Sequence, residues 1–399
     1  MPGMSALSHP GFRAYFFAAV PLVQALWAQR VTLGWLAWQV SGSPAFVGFI
    51  AALGLAPMII AGPVFGVVVD RADIRRALMA TSGGMCALLV LAALIAGGPG
   101  LGRVGLATLA LAIGLVTAAH HPVRMSLGPR LVPMADVPAV VALSALNFNL
   151  GRMIGPVLTG LAIASVGPVA TLWMSAALYL PMLVAVRWMD PRPLPLMPHI
   201  SVLRGIGEGL RYLAGNRVAR RALILTAAVA LLIRGYLELL PVMAEGVHAR
   251  GAEGLGLLTA AAGVGAVIAA LAKTAGAGQG GIAPITRAML VAGVLSLAAL
   301  GLSQSWWAAL GWTAVAGFAS TFCGVSLQAA VQEDLPDNLR GRVMSLWVVV
   351  GIGAVAVGSG ALGWLAAGFG LQSILIWTGG LGGVVALALA LPSGAGRAT

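Results

Sequence analysis

The chain has 399 residues, of which 60% are hydrophobic and only 9% are charged, and its mean hydropathy is +0.98. Soluble domains carry about 25% charged residues, so this chain has too little polar surface to fold in water. We therefore predict an all-α integral membrane protein. If each crossing takes about 20 apolar residues, twelve crossings leave too few residues for a separate soluble domain.

The charge is strongly unbalanced, with 23 Lys and Arg against 11 Asp and Glu and a net charge of +12. In a soluble protein this excess would indicate nucleic-acid binding, but here the cations are scattered between apolar runs. The positive-inside rule accounts for such a distribution, and we expect no nucleic-acid partner. Cys86 and Cys323 lie in apolar runs and predict neither a disulfide nor a metal site.

Twelve apolar stretches, bounded by glycine, proline or charged residues, predict twelve membrane-spanning helices. Their ranges are 14–40, 45–69, 77–98, 104–123, 139–165, 168–188, 221–244, 254–274, 284–303, 306–331, 343–366 and 371–391. The first stretch is too long for the apolar region of a cleavable signal peptide, so we interpret it as span 1.

The basic residues predict how the spans are oriented. The segments on the side of the N-terminus hold Arg71, Arg75, Arg76, Arg130, Arg187, Arg192, Arg204, Arg211, Arg217, Arg220, Arg221, Lys273, Arg287, Arg340 and Arg342. The opposite loops hold only Arg103 and Arg250. We therefore expect a multi-pass protein of the inner (cytoplasmic) membrane with both termini in the cytoplasm.

A polar segment divides the twelve spans into six and six. The predicted units are an N-terminal six-helix bundle at 1–188, a cytoplasmic linker at 189–220 and a C-terminal six-helix bundle at 221–399. In the linker, Leu203, Ile206, Leu210 and Leu213 recur at helical spacing. This pattern predicts a helix that lies on the membrane surface.

An internal repeat appears when the chain is shifted by 203 residues. Three glycines of span 5 and its exit, Gly155, Gly160 and Gly167, then match Gly358, Gly363 and Gly370. Residues 131–133 also align with 334–336, and both stretches end in proline. A repeat of about half the length indicates two parallel, pseudo-symmetric six-helix halves, as in many secondary transporters.

The loop after span 2 carries a recognisable pattern, G-x-x-x-D-R from Gly66 to Arg71, followed by further arginines. It resembles the cytoplasmic loop signature of the major facilitator superfamily, although Asp73 and Ile74 stand where that signature has Gly-Arg. The resemblance implies the twelve-helix fold of the superfamily and a cytoplasmic gate that favours the outward-open state. The residues of this gate are Gly66, Asp70, Arg71, Arg75 and Arg76. An arginine cluster that only sets topology is the alternative.

A glycine-proline pattern in span 5 is formed by Gly151, Gly155, Pro156 and Gly160. It looks like the motif of the drug:proton antiporter branches of the superfamily, which implies export. Small residues four apart also let helices approach closely, so helix packing alone is the other interpretation. Residues 9–15, 328–336 and 339–343 are similar to the enterobactin-exporter-like branch, and the resemblance covers nearly the whole chain.

Polar side chains within the spans mark the candidate substrate cavity, since ionisable groups in a membrane are costly. The candidates are Gln24, Trp27, Arg30, Asn149, Arg152, Arg234, Glu238 and Gln328. Spans 1, 4, 7 and 10 line the cavity in the superfamily, which implies that Arg30 and Arg234 face one space. An anionic or phenolic ligand would suit both arginines through charge-assisted hydrogen bonds.

Glu238 is the candidate proton-coupling residue, because it is a carboxylate placed well inside the hydrocarbon. It lies four residues after Arg234 and therefore on the same helical face. Burial favours its protonated form whereas Arg234 favours its ionised form. A permanent Arg234–Glu238 ion pair and an external gate are the alternatives.

Other polar positions carry weaker predictions. Arg152 either binds ligand or extends toward the headgroups, and Gln328 binds substrate or pairs with Gln332. His120, His121 and Arg124 are expected at the cytoplasmic exit of span 4, and Tyr179 is expected to serve packing. Relatives often carry an acidic residue near the middle of span 1, whereas Leu26 stands there in this chain.

These features together favour a secondary transporter. The leading hypothesis is proton-coupled export of a small amphipathic or anionic, siderophore- or drug-like molecule by alternating access, in a monomer without cofactor or metal. The alternatives are a lysophospholipid flippase, a solute importer or facilitator, and a non-transporting sensor. An enzyme is disfavoured because the scattered histidines do not form a nucleophile–base set.

Overall fold

The computed structural model describes residues 2–62, 64–65, 72–98, 100–192, 202–275, 282–333 and 335–390. Eight helices in these ranges are long and apolar enough to cross a membrane. One of them, Met134–Trp188, holds spans 5 and 6, because Gly167 has a φ of 83° that breaks the helix into two rods. Two shorter apolar helices, Pro44–Ile60 and the one that begins at Leu371, supply spans 2 and 12.

The structure thus gives each predicted span a helical counterpart. In chain order these are Pro10–Ser41, Pro44–Ile60, Ile74–Gly97, Arg103–Arg130, residues 137–166, residues 168–188, residues 217–247, Gly251–Ala275, Pro284–Leu302, Trp306–Gln332, Asp337–Phe369 and Leu371–Ala390. The prediction of an all-α membrane protein with twelve spans is confirmed.

Local sequence explains where several spans begin. Pro10, Pro44 and Pro284 occupy the first helical position of their spans, where the missing N–H of proline costs nothing. Asp73 caps span 3, since its carboxylate accepts from the backbone N–H groups of Arg75 and Arg76. Asp73, which departs from the superfamily pattern, therefore has a local structural role.

Three members of the predicted gate, Gly66, Asp70 and Arg71, lie outside the described residues. The other two, Arg75 and Arg76, are in the first turn of span 3. Arg76 forms an exposed ion pair with Asp73 at 3.7 Å. The role of this loop as a gate stays a prediction.

Span 4 is longer than its sequence predicts and ends at Arg130 instead of residue 123. Pro122 and Pro129 lie inside the helix, although proline favours a helix end in a soluble protein. Proline is tolerated in a membrane helix because neighbouring helices and local adjustments satisfy the freed backbone groups. Span 1 packs against this stretch, where the Tyr15 hydroxyl donates to the Arg124 carbonyl at 3.0 Å.

Span 7 is not a regular α-helix. It starts as the α-helix Arg217–Val229, continues through the π-helical segment Ala230–Arg234, and ends in a second π-helical segment, Val242–Val247. π-Helical turns are rare and occur often at functional sites. The segment between them carries Glu238.

The two ends of the bundle differ in charge. At the end where span 1 begins, His9 contacts Asp136 at 2.8 Å and the Arg192 N–H donates to the Arg130 carbonyl at 2.9 Å. Hydrogen bonds from Ser5 and His9 hold the pKa of the Asp136 carboxyl below its usual value. We call this end, which also carries Arg13, Arg75, Arg187 and Arg342, the basic end, and the other one the opposite end.

Spans from the two halves pack closely toward the opposite end. Gly160 of span 5 meets Gly256 of span 8, and Gly48 of span 2 meets Gly363 of span 11. The 203-residue repeat relates Gly160 to Gly363 and relates span 2 to span 8, so the two contacts join equivalent helix pairs, although Gly48 itself matches Gly251. Small residues allow this close approach because they bring no side chain into the interface.

The predicted linker helix is present at Val202–Gly215. Its Leu213 is buried, and Glu208 forms an ion pair with Arg342 at the start of span 11. Gly209 faces the same helix, since a Cβ there would lie 2.8 Å from the Leu346 side chain. The linker helix is therefore fastened to the C-terminal half, while the domain boundaries stay a prediction.

Replacing Gly160 with leucine should force spans 5 and 8 apart, because its Cβ would meet the backbone of Gly256. We expect a destabilisation of about 1–3 kcal/mol, the usual cost of overpacking, visible as a lower midpoint of thermal unfolding in detergent. Gly83→Leu is the matched control, since a Cβ at Gly83 meets open space. Equal midpoints for the two variants would contradict the close approach.

Candidate functional site

An ion pair joins the two halves in the cavity region. Arg30 of span 1 donates from Nη2 to Glu238 Oε1 at 2.6 Å and from Nε to Glu238 Oε2 at 3.0 Å. Both side chains are half-buried. A bidentate pair of this kind fixes the orientation of both groups as well as their distance, so it ties span 1 to span 7.

The prediction that Arg234 and Glu238 interact is wrong, because each side chain has a different partner. Arg234 Nε donates to Ser320 Oγ of span 10 at 3.1 Å, and a Cβ at Gly324 would lie 2.5 Å from Arg234 Nη2. The π-helical turn ends at Arg234, so it does not set the spacing between Arg234 and Glu238, which are separated by the short α-helix Gly235–Leu237. The neighbouring spans decide the pairing, because Arg234 reaches Ser320 of span 10 and Glu238 reaches Arg30 of span 1.

Arginine charge converges on this region. Arg152 of span 5 and Arg30 both lie near enough to Arg234 to repel its guanidinium electrostatically. Glu238 is the one carboxylate hydrogen-bonded to any of the three in the described part of the chain. The site therefore carries an excess of positive charge, which a negatively charged ligand would balance.

A row of aromatic rings connects two of the arginines. The Arg30 Cζ lies 5.7 Å from the Trp27 ring centre, Trp27 lies 6.0 Å from Phe148, and the Arg124 Cζ lies 5.1 Å from the Phe148 ring. Phe148 and Arg124 were not among the predicted cavity residues. The sequence feature that could have indicated Phe148 is its position between Asn147 and Asn149, in a polar stretch of span 5.

Two polar atoms next to these rings have no hydrogen-bond partner within the described ranges. They are Gln24 Oε1 and Trp27 Nε1, and both are buried. A Cβ at Gly155 would lie 2.7 Å from the Trp27 Cβ and 2.9 Å from Gln24 Oε1. Gly155 thus makes room for the two side chains, and neither the acceptor nor the donor is satisfied by the described residues, which calls for an explanation in a buried site.

The remaining candidates lie farther toward the basic end. Asn149 is exposed, but its Nδ2 donates to the Ala145 carbonyl of its own helix at 2.8 Å. Gln328 is exposed, and Gln332 Nε2 contacts Met344 Sδ at 3.5 Å. Exposed amides within membrane spans are typical of a water-filled cavity.

A buried polar network lies within the N-terminal half. Tyr179 was expected to serve packing, and it is fully buried in the core; its hydroxyl also donates to Gln29 Oε1 at 3.2 Å. His120 was expected at an exit, but it is buried and contacts Thr81 Oγ1 through Nδ1 at 3.0 Å. The longer span 4 explains this difference, because His120 lies ten residues before its end.

Twelve helices in two halves, polar residues between them and a charged pair joining the halves define a membrane transporter with the major facilitator fold. The chain belongs to the family of this superfamily described as transmembrane secretion effectors, whose family model matches residues 1–395. The members it resembles are transporters and not enzymes.

Curated relatives share moderate sequence identity with the chain. The enterobactin exporter EntS of Shigella boydii serotype 4 is 26% identical over 370 residues, covering 90% of this chain and 86% of the relative. The multidrug efflux pump Tap of Mycobacterium bovis (strain BCG / Pasteur 1173P2) is 29% identical over 200 residues, covering 48% of each chain.

Solved structures agree with the fold. A bacterial homologue of the human lysosomal transporter Spinster superposes with a TM-score of 0.73 at 14% identity, covering 95% of this chain and 96% of that chain. The human organic anion transporter MFSD10 superposes with a TM-score of 0.66 at 16% identity, covering 96% and 99%. At these identities the likeness establishes the fold alone.

Arg30→Gln and Glu238→Gln should each weaken the link between the halves, since each leaves the other charge without its partner. We expect the double variant to lose less stability than the sum of the single losses, with a coupling of about 0.5–3 kcal/mol. Thermal unfolding of the four proteins in detergent measures it. Glu253→Gln, at an exposed carboxylate near the opposite end, is the control, and additive losses would contradict a direct pair.

Proposed function

We propose that the protein exports small amphipathic anions in exchange for protons, by alternating access, from the bacterial inner membrane with the basic end in the cytoplasm. The observation that carries this proposal is the convergence of Arg30, Arg152 and Arg234 between the halves, where Glu238 pairs with Arg30 alone among the three. Relatives that are an enterobactin exporter and a multidrug efflux pump support the direction.

The charge of the cluster favours an anionic substrate. Placing guanidinium groups in the membrane interior is costly, and a structural role would be met by one arginine per carboxylate. A ligand carboxylate, phenolate or phosphate would accept charge-assisted hydrogen bonds from Arg234 and Arg152. The excess of cations is then explained by the ligand that completes the site.

The neighbouring aromatic residues favour a substrate that also has a flat apolar part. Trp27 and Phe148 offer ring faces beside Arg30, and the orphaned Gln24 Oε1 and Trp27 Nε1 offer one acceptor and one donor. An aromatic ring with hydroxyl or amide substituents would use all of these groups. Catecholate siderophores and acidic aromatic drugs belong to this chemical class.

The contacts between the halves support alternating access. They concentrate toward the opposite end, where Gly160 meets Gly256 and a Cβ at Gly246 would lie 2.7 Å from the Trp38 ring. The amides Asn149 and Gln328, nearer the basic end, are exposed. This arrangement fits a state that is closed at the opposite end and accessible from the basic end.

Arg30 offers a means by which ligand and proton can communicate. In the substrate-free state Glu238 holds Arg30 in a bidentate pair. A ligand anion that takes Arg30 frees the carboxylate and opens the closed end. Opening of that end separates span 1 from span 7, so after the ligand has left, Glu238 takes up a proton from that side before it can meet Arg30 again. Re-forming the pair with Arg30 releases the proton to the cytoplasm.

Glu238→Gln should abolish substrate accumulation driven by a pH gradient while leaving downhill exchange intact, because glutamine cannot carry the proton. The measurement is uptake of enterobactin and of acidic aromatic drugs into inside-out vesicles or proteoliposomes, with and without the gradient. Glu253→Gln is the control at an exposed carboxylate. Unchanged gradient-driven accumulation would remove Glu238 as the proton site.

Arg234→Gln should weaken binding of the transported anion by about 10- to 100-fold, since a hydrogen bond to a charged group contributes about 1.5–3 kcal/mol. A neutral ester of the same compound should lose little. Arg217→Gln, at an exposed arginine of the same span, is the matched control. If acid and ester weaken equally, Arg234 does not read the charge of the substrate.

A further inference from the structure

A cavity lies on the outer surface of the bundle, at the seam between the halves. It has a volume of about 400 Å³ and opens near the opposite end. Span 2 supplies Ser43, Phe46 and Phe49, span 4 supplies Arg103, and span 11 supplies Trp364. We call it the seam pocket. It is separate from the arginine cluster, because none of its lining residues belongs to that site.

The seam pocket is polar at its rim and apolar in its depth. Ser43 and Arg103 lie at the ends of their helices, whereas Ala52 lies nine residues further into span 2, which corresponds to about 13 Å along a helix. The apolar walls face outward, since Phe49 is 49% and Trp364 is 71% exposed. In a membrane-spanning bundle such outward surface contacts lipid chains.

Arg103 gives the rim a positive charge at the level of the headgroups. Its Nη2 donates to the Ser41 carbonyl at 3.2 Å. In the part of the chain that the structure describes, no carboxylate forms an ion pair with it. A guanidinium has five N–H donors, so Arg103 keeps donors for a phosphate, whose geometry it matches.

We propose that the seam pocket binds an anionic phospholipid. The phosphate lies at Arg103 and one acyl chain lies between Phe46, Phe49 and Trp364. The charge selects an anionic headgroup over a zwitterionic one, since the positive charge of a choline would be placed beside Arg103. The depth and the outward opening select a lipid over a free anion.

The bound lipid would also favour one state of the protein. The pocket takes Phe49 and Arg103 from one half and Trp364 from the other, and its walls stay together only while Gly48 and Gly363 are in contact. Rocking of the halves would divide the pocket. A ligand that binds one state alone shifts the population toward that state, and this step rests on the proposed alternating access.

Lipid retention tests the binding itself. Purified protein is incubated with equal amounts of phosphatidylglycerol and phosphatidylcholine, and bound lipid is measured by native mass spectrometry. We expect the wild type to retain phosphatidylglycerol, Arg103→Gln to lose about tenfold, and Arg103→Lys to retain an intermediate amount. Trp364→Ala should lower retention of both lipids.

Matched controls are available elsewhere on the lipid-facing surface. Arg13→Gln and Trp377→Ala change exposed residues that lie outside the seam pocket, and both should retain phosphatidylglycerol at the seam. Glu238→Gln should also retain it, so failure of the transport proposal would not be confused with failure of this one. Wild-type retention by Arg103→Gln, or equal retention of the two lipids, would overturn the proposal.

The effect on state is measured by distances between spin labels placed on the two halves at the basic end. In nanodiscs, phosphatidylglycerol should raise the population with long distances for the wild type and leave Arg103→Gln unchanged. Equal distributions in both lipids would overturn the state-selective step. Transfer of labelled phosphatidylglycerol across a liposome bilayer by the wild type would show a transported lipid and overturn a resident one.

Discussion

The structure depends on the ion pair between Arg30 and Glu238. A carboxylate and a guanidinium at this depth are costly unless each neutralises the other. Because the two groups belong to spans 1 and 7, their pairing requires the halves to meet at this level. The pair is also sensitive to its surroundings, since an anion that binds Arg30 or a proton that binds Glu238 weakens the attraction between the two groups.

Glycine packing makes this meeting of the halves possible. Gly160 faces Gly256 and Gly48 faces Gly363, so backbones approach without side chains between them. The two contacts join helix pairs that the internal repeat of the chain relates to each other. Gly155 serves a different purpose nearer the cavity, where it makes room for Gln24 and Trp27. One glycine-rich pattern therefore both closes one end and shapes the site.

The sequence predicted the features that depend on local chemistry and missed those that depend on contacts with neighbouring helices. Apolar length predicted the spans, because the bilayer sets that length. The sequence prediction ended span 4 too early, since Pro122 is tolerated inside a packed bundle. The sequence prediction paired Glu238 with Arg234 from their spacing along one helix, whereas spans 1 and 10 supply the actual partners, Arg30 and Ser320. The sequence prediction did not place Phe148 at the site, because its position there depends on Trp27 and Arg124, which lie on either side of its ring.

The sequence by itself determined the membrane class, the number of spans, the two-fold repeat and the positions where charge enters the membrane, because each follows from composition and spacing along the chain. The tertiary structure alone decided which charges meet. Arg30 and Glu238 are 208 positions apart, and their contact arises from the packing of span 1 against span 7. Pairing across such distances depends on geometry that no local pattern contains.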